Sequence, residues 1–327
     1  MITESNLIHL PYTPDLTEGG IVYALRSLPN TFNRAGGSPY DRLRRVVGSV
    51  AVELAFRRFL AGQDVPFEVK GARPFTDPDR YDVALGGRRC DIKSFLISYR
   101  DQIAEMKRNP QVVLNAPALV PSDQNAGEGH SEKDIYLFAF LSGLVAASQA
   151  DLQKVIYKKQ PHHLIHVMPD NWMRPSKWNT LGSLVLKSES TEAQVVDVNG
   201  QDEGRDMQTV SVKLPPNTRV QIEVEFCSVA YIHSKSLPDA RIGIHSSARN
   251  ETHLIGVMEW GNIWIYGMDI LLAGWLTSAE FNQRAKPIRE GARVFQYDRT
   301  RTKNLGVPVH ELRSIADLLE RVKEWSK

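Results

Sequence analysis

The chain has 327 residues, 42% hydrophobic and 24% charged, with 40 basic and 38 acidic side chains and a formal charge of +2. This suits a globular protein of one large or two ordinary domains with ample chain for a core, and the near-neutral charge neither demands nor excludes a nucleic-acid partner. Two distant cysteines, Cys90 and Cys227, exclude a disulfide framework and zinc-ligand spacing, while the lack of a leader pattern or a membrane-length apolar run predicts a cytoplasmic protein with no membrane partner.

Residues 1–40 are rich in Pro and Gly, with a short helix expected near 20–28. Residues 45–60 read as an amphipathic helix, with Val46, Val47, Val50, Ala51, Leu54 and Phe59 forming an apolar stripe. Tyr40-Asp41 are expected to cap it and Gly62 to end it. Glu53 borders the stripe, where an acid is costly without a partner. A strand at 67–70 follows, then the stretch Tyr-Asp-Val-Ala-Leu-Gly-Gly-Arg-Arg-Cys-Asp-Ile-Lys-Ser-Phe at 81–95. Gly86-Gly87 between two short strand-like runs signals a tight hairpin, because such turns need positive φ. Asp82 opens the first strand, and Asp91-Ile92-Lys93 lies on the second. Strand alternation puts Asp91 and Lys93 on one face, with Ile92 and Cys90 on the other. Asp79, in the turn Asp77-Pro78-Asp79-Arg80, competes with Asp82 as the acid of a Pro-Asp motif; Asp82 is preferred because it begins the apolar strand.

A helix is expected at 98–107, and Pro110, Pro117 and Pro121 predict an irregular loop through 132. Residues 134–141 have the continuous apolar character of a buried central strand, and 146–157 look helical. From 162 the texture changes. Short strands at 181–187, 193–198, 207–214, 219–226, 229–234, 241–245 and 254–260 are separated by turn signals such as Asn199-Gly200 and Pro215-Pro216-Asn217. They suggest a two-layer β sandwich with Val195, Val210, Val212, Val220, Ile222, Val224 and Ile242 facing inward. Residues 269–276 return to a buried strand, Thr277 or Ser278 starts a helix with Glu280 in its first turn, and 309–325 form a last amphipathic helix. His162, His163 and His166 have metal-like spacing without an acidic or thiol companion and read as surface or packing histidines; His130 has no assigned role. Trp260, Trp264 and Trp275 read as packing aromatics, and Arg42, Arg44, Arg45, Arg57, Arg58, Arg88 and Arg89 are available for solubility or phosphate contact.

A helix bearing Glu53, a strand, a strand opened by Asp82 and a strand carrying Asp91-x-Lys93 resemble the PD-(D/E)XK nuclease superfamily, the restriction-endonuclease-like fold. The resemblance covers residues 42–141 and, more weakly, the last sixty or so. It implies an α/β protein with an αβββαβ core and a mixed sheet. In many such nucleases a strand ending in Gly-Trp and a Glu-Phe helix directly follow a strand like 134–141; here residues 142–268 intervene. The nuclease domain is therefore expected in two parts, 1–159 and 262–327, with a β-sandwich-like module inserted at 160–261. Strand 269–276 should then pair in the same sheet as 134–141, since a packed core leaves no neighbouring edge bare.

The resemblance also implies a catalytic set of Glu53, Asp82, Asp91 and Lys93. Mg²⁺, replaceable by Mn²⁺, would be held by Asp82, Asp91, the Ile92 carbonyl and Glu53, and Lys93 would hold the attacking water. The expected function is a metal-dependent endonuclease on double-stranded DNA in a defence, restriction or repair setting, with the β module contributing substrate recognition and a homodimer as one arrangement for cutting two strands. The alternatives are an RNA nuclease, a ligand-gated nuclease effector, or a non-catalytic nucleic-acid-binding scaffold.

Overall fold

The computed structural model describes residues 2–30, 38–69, 83–125 and 131–326. In chain order these give β1 (Ile8–Leu10), α1 (Pro14–Ser27), α2 (Pro39–Gly62), β2 (Val83–Leu85), β3 (Arg88–Ile97), α3 (Arg100–Arg108), α4 (Gln111–Leu114), β4 (Pro117–Pro121), α5 (Ser122–Asn125), β5 (Ile135–Val145) and α6 (Gln149–Tyr157). Next come β6 (Leu164–Val167), α7 (Asp170–Met173), β7 (Leu184–Ser188), β8 (Gln194–Gln201), β9 (Met207–Leu214), β10 (Arg219–Ile222), β11 (Ser228–Ser234), β12 (Ile242–Ser246), β13 (Glu251–Ile255) and β14 (Gly261–Asn262). The last group is β15 (Ile265–Thr277), α8 (Ser278–Arg284), β16 (Lys286–Ile288), β17 (Asn304–Pro308) and α9 (Ile315–Trp325). No described helix is long and apolar enough to cross a membrane.

The architecture is mixed α/β, organised on a mixed sheet with strand order β1-β15-β5-β3-β2. β3 and β5 run parallel and the other neighbours antiparallel. β5 is central, which explains its unbroken apolar sequence: both of its faces are covered. The expected pairing across the long separation is present, running from Asp269 opposite Ser142 to Thr277 opposite Ile135. On one face of the sheet, Val47, Ala51, Val52 and Phe56 of α2 pack with Cys90, Ile92, Leu137 and Ala139. On the other, Phe95, Phe138, Phe140 and Leu276 meet Phe281 of α8 and the small sheet β16-β17-β4.

Residues between β5 and β15 form two antiparallel sheets, β14-β6-β11-β8-β9 and β10-β7-β12-β13, around a core of their own that includes Leu186, Val196, Val198, Val212, Ile232 and Ile244. The outer side of the first sheet is covered where β6 and β11 lie. Ile165, Ala230 and Tyr231 join the apolar core that also contains α1 and α2. Arg44 of α2 completes the junction. It is 5% exposed. Its Nε donates to Asn262 O at 3.0 Å, and its Nη2 donates to Asn262 O at 2.7 Å and Ala146 O at 3.2 Å. One guanidinium thus ties the exit of β5 and the return at β14 to the same helix.

Several expectations need correction. Ser38, not Tyr40-Asp41, caps α2: its Oγ accepts from Asp41 N, and Pro39 takes the first turn, where a missing N–H costs nothing. The stretch 110–132 is not a single loop, because β4 is an edge strand with prolines only at its two ends, positions that need no ladder donor. Asn199-Gly200 lies inside β8 rather than in a turn. A methyl on Gly200 would collide with the Ser228 carbonyl and the Phe226 ring, so this glycine serves close strand approach. That register sends Val196 and Val198 inward and leaves Val195 exposed; Val224 is exposed too. The last helix starts only at Ile315, capped by Ser314, after a short turn at Val309–Glu311.

Candidate active site

The hairpin between β2 and β3 turns through Gly86 and Gly87, with φ of +54° and +73°. Two consecutive positive φ values are what a two-residue turn of matching twist requires, and glycine adopts them cheaply. The turn fixes the register, with Val83 opposite Cys90. From there alternation assigns the faces. Cys90 and Ile92 enter the core beneath α2, while Phe95 and Ile97 enter the core on the opposite face. Asp91 and Lys93 share the face of Phe95 and Ile97.

The structure brings Asp91 and Lys93 together. Lys93 Nζ lies 2.6 Å from Asp91 Oδ2, and the side chains are 13% and 30% exposed, so the pair sits in a shallow recess rather than in bulk water. Lys93 Nζ also donates to Gln124 Oε1 at 2.8 Å and lies 5.8 Å from the centre of the Tyr136 ring. Tyr136 stands opposite Asp91 in the parallel β3–β5 register. Burial first, then the Asp91 charge, pushes its phenol up to about 12, so it remains a proton donor at neutral pH. Its hydroxyl donates to Asn125 Oδ1 at 3.3 Å, and Asn125 Nδ2 donates to Asn282 Oδ1 at 2.8 Å. The recess therefore lies at the amino-terminal ends of β3 and β5, walled by α5 and α8.

Glu53 is placed differently. It forms an ion pair with Arg57 one turn further along α2. That helix packs on the Cys90 and Ile92 face, and one turn before Glu53 the Ser49 and Ser94 hydroxyls are 2.9 Å apart. The structure thus holds Glu53 with its helix on the other side of the sheet from the Asp91–Lys93 pair. Asp82 and Asp79 lie outside the described residues, as does His130. Among the described residues, no group of three or more His, Cys, Asp and Glu stands close enough to hold a metal.

The donor set around Lys93 nonetheless fits one kind of metal. Asp91 and Gln124 offer oxygens only, with no sulfur or imidazole, which matches a hard cation such as Mg²⁺. Mg²⁺ keeps most of its waters and is commonly held by one or two carboxylates plus substrate phosphate oxygens.

The three histidines of the metal-like cluster separate. His162 bonds Gln160 O and Lys235 O, His163 stacks on His233 with ring centres 4.1 Å apart, and His166 Nε2 faces His253 Nε2 at 2.9 Å. Of the arginines, Arg44 is structural, Arg57 and Arg58 pair with Glu53 and Asp15, and Arg88 stacks on Trp325. Gln124, Asn125, Tyr136 and Asn282 carry no local sequence signal; Tyr136 becomes visible only once the parallel register with Asp91 is known. No known family's model matches the chain, and no curated protein or solved structure does either.

Proposed function

We propose that the chain is a metal-dependent phosphodiester hydrolase acting on nucleic acid, with duplex DNA as the preferred substrate. The observation that carries this reading is the Asp91–Lys93 pair, 2.6 Å apart on one face of β3. The order of elements supports it. Glu68, which pairs with Ala84 in an isolated bridge, stands between α2 and the β2–β3 hairpin, and α3 precedes β5, the parallel neighbour of β3. With Glu68 counted as a strand and α4, β4 and α5 counted as additions before β5, this order resembles the αβββαβ order of the restriction-endonuclease-like core. Asp82 immediately precedes Val83, the partner of Cys90, and Cys90 immediately precedes Asp91.

In this reading Asp91, the Ile92 carbonyl and Asp82 hold Mg²⁺ or Mn²⁺, and Glu53, paired with Arg57 on the other side of the sheet, takes no part in holding the metal. A bound Mg²⁺ supplies Lewis acidity toward the scissile phosphate. Lys93 orients the attacking water and faces the negative charge that develops on the phosphoryl oxygens. Gln124 fixes the Lys93 ammonium, and Tyr136 bounds the recess. The β module between β5 and β15, tethered at both ends and held by Arg44, presents the substrate.

The test is Mg²⁺-dependent cleavage of duplex DNA, single-stranded DNA and RNA by the wild type, Asp91→Asn and Lys93→Met. Loss of a metal-holding or charge-facing group costs about 3–4 kcal/mol of barrier, so both variants should fall on the order of 10²–10³-fold while keeping the wild-type melting temperature. Cleavage at wild-type rates by both variants removes the assignment.

A further inference from the structure

A second concavity lies at the opposite end of the same two strands. Leu96, Ser98 and Tyr99 at the exit of β3 and Val145 at the exit of β5 form one wall of a cleft of about 620 Å³. The first turns of α2, with Asp41, Arg44 and Arg45, form another, and Pro121 with residues 296–304 closes it. Leu96 is five residues beyond Asp91, about 16 Å along an extended strand, so this cleft is separate from the recess around Lys93. Its volume falls within the usual range for small-molecule sites, and the carboxyl ends of parallel strands are where α/β sheets leave room for ligands.

The lining is selective in charge. Arg44 is already consumed by Asn262 O, Ala146 O and Asp41. The amino end of α2 is consumed too, by the Ser38 cap. Arg45, Arg299 and Arg301 line the cleft beside Arg44, together with Asp41 and Asp298. Burial, and next the charge of Arg301, hold the Arg45 pKa below its ordinary value. The lining also supplies two phenol rings. Tyr99 is 64% exposed at the cleft wall, which leaves a ring face open to a planar group. Tyr297 is the second, and burial raises its phenol pKa, so it is neutral at neutral pH. At the floor, Gln296 is 5% exposed and donates Nε2 to Pro117 O, while its Oε1 has no donor among the described residues.

We propose that this cleft is a nucleotide-binding site, with the phosphates held by Arg45, Arg299 and Arg301 and the base stacked on Tyr99. Forked guanidiniums match phosphate oxygens in pairs, and a phenol ring offers a π-face to any base. The inference does not depend on hydrolysis at Asp91 and Lys93.

Titration calorimetry of the full chain with AMP, ATP, GTP, pyrophosphate and inorganic phosphate tests it. Saturable binding of a nucleotide is expected. Arg299→Ala with Arg301→Ala should weaken nucleotide and pyrophosphate alike, by about tenfold or more. Tyr99→Ala should weaken the nucleotide several-fold and leave pyrophosphate unchanged, which separates base stacking from bare phosphate affinity. All three positions are exposed, so unchanged melting temperatures are expected. As a second readout, a Tyr99→Trp variant should lose indole fluorescence on nucleotide addition. Absence of saturable nucleotide binding at millimolar concentration, equal binding by the arginine variant, or binding of phosphate and pyrophosphate alone overturns the proposal. So does binding confined to oligonucleotides, which makes the cleft a track for substrate strands.

Discussion

Arg44→Met is the sharpest test of how the β module is fastened. Methionine preserves most of the buried stem and leaves little cavity, so the change isolates the guanidinium. The wild-type side chain satisfies Asn262 O through two bonds and Ala146 O through one, and forms a 3.0 Å pair with Asp41 Oδ1. Losing a charged donor to a carbonyl costs about 1.5–3 kcal/mol when the carbonyl is left buried, and two carbonyls are involved. Against this, the variant no longer desolvates a guanidinium, whose burial holds its pKa below the ordinary value. The half-exposed Asp41 pair adds little. The net expectation is destabilisation of about 2–4 kcal/mol. Urea unfolding followed by tryptophan fluorescence reads it directly, since Trp260 and Trp264 flank Asn262 and are buried. With an unchanged slope, the midpoint should move by roughly 1–2 M for m of about 2 kcal/mol/M. A shift corresponding to less than about 0.5 kcal/mol refutes the claim that Arg44 carries the junction.

Three further outcomes follow from the same geometry. Gly200→Ala forces a methyl against the Ser228 carbonyl of β11, a rigid backbone atom, and should cost about 3 kcal/mol or more in a melting experiment. Acid should weaken the β module before the central sheet. Burial, then the neighbouring His233 and His162, hold His163 down to about 3, and burial also lowers His166, His233 and His253. Groups kept neutral in the fold contribute stability that is complete above the ordinary histidine value near 6.5. That stability is lost as pH falls toward about 3, so the melting temperature should decline through that window and decline less in His163→Gln. Gln124→Ala removes the 2.8 Å bond that holds the Lys93 ammonium and should lower cleavage about tenfold with little effect on melting; unchanged turnover would show that Lys93 needs no such support.

The sequence was most readable where a single local rule decided the outcome. Gly86-Gly87 could only be a tight turn, and the turn then settled which faces Asp91, Ile92 and Lys93 occupy. Thr277 or Ser278 reads as a helix start with Glu280 in the first turn, and the structure starts the helix at Ser278 with Thr277 as its cap, bonded to Glu280 in both directions. Readability failed where a residue's meaning depends on a distant partner. Gly200 reads as a turn until the Ser228 carbonyl of the next strand is in place. Pro117 and Pro121 read as loop until β17 shows that they bracket an edge strand. Gln124 has no meaning at all before β4 and α5 carry it to Lys93. The basic cleft combines α2 with residues 296–304, far apart in the chain, and no window on the sequence contains both.

The side-by-side placement of β5 and β15 has a consequence for biosynthesis. β5 leaves the ribosome with one edge satisfied by β3, while the strand that covers its other edge begins only at Ile265. Translation at ~5–20 residues per second leaves that edge bare for roughly 6–24 s. During this time the intervening residues must collapse into their own sheets near an apolar strand that has no mate. A nascent chain that pairs β5 with any other exposed strand is trapped, because β15 then arrives to find its position taken. Folding of this molecule is thus a matter of timing, because the central edge has to stay open until the strand that belongs there has been made.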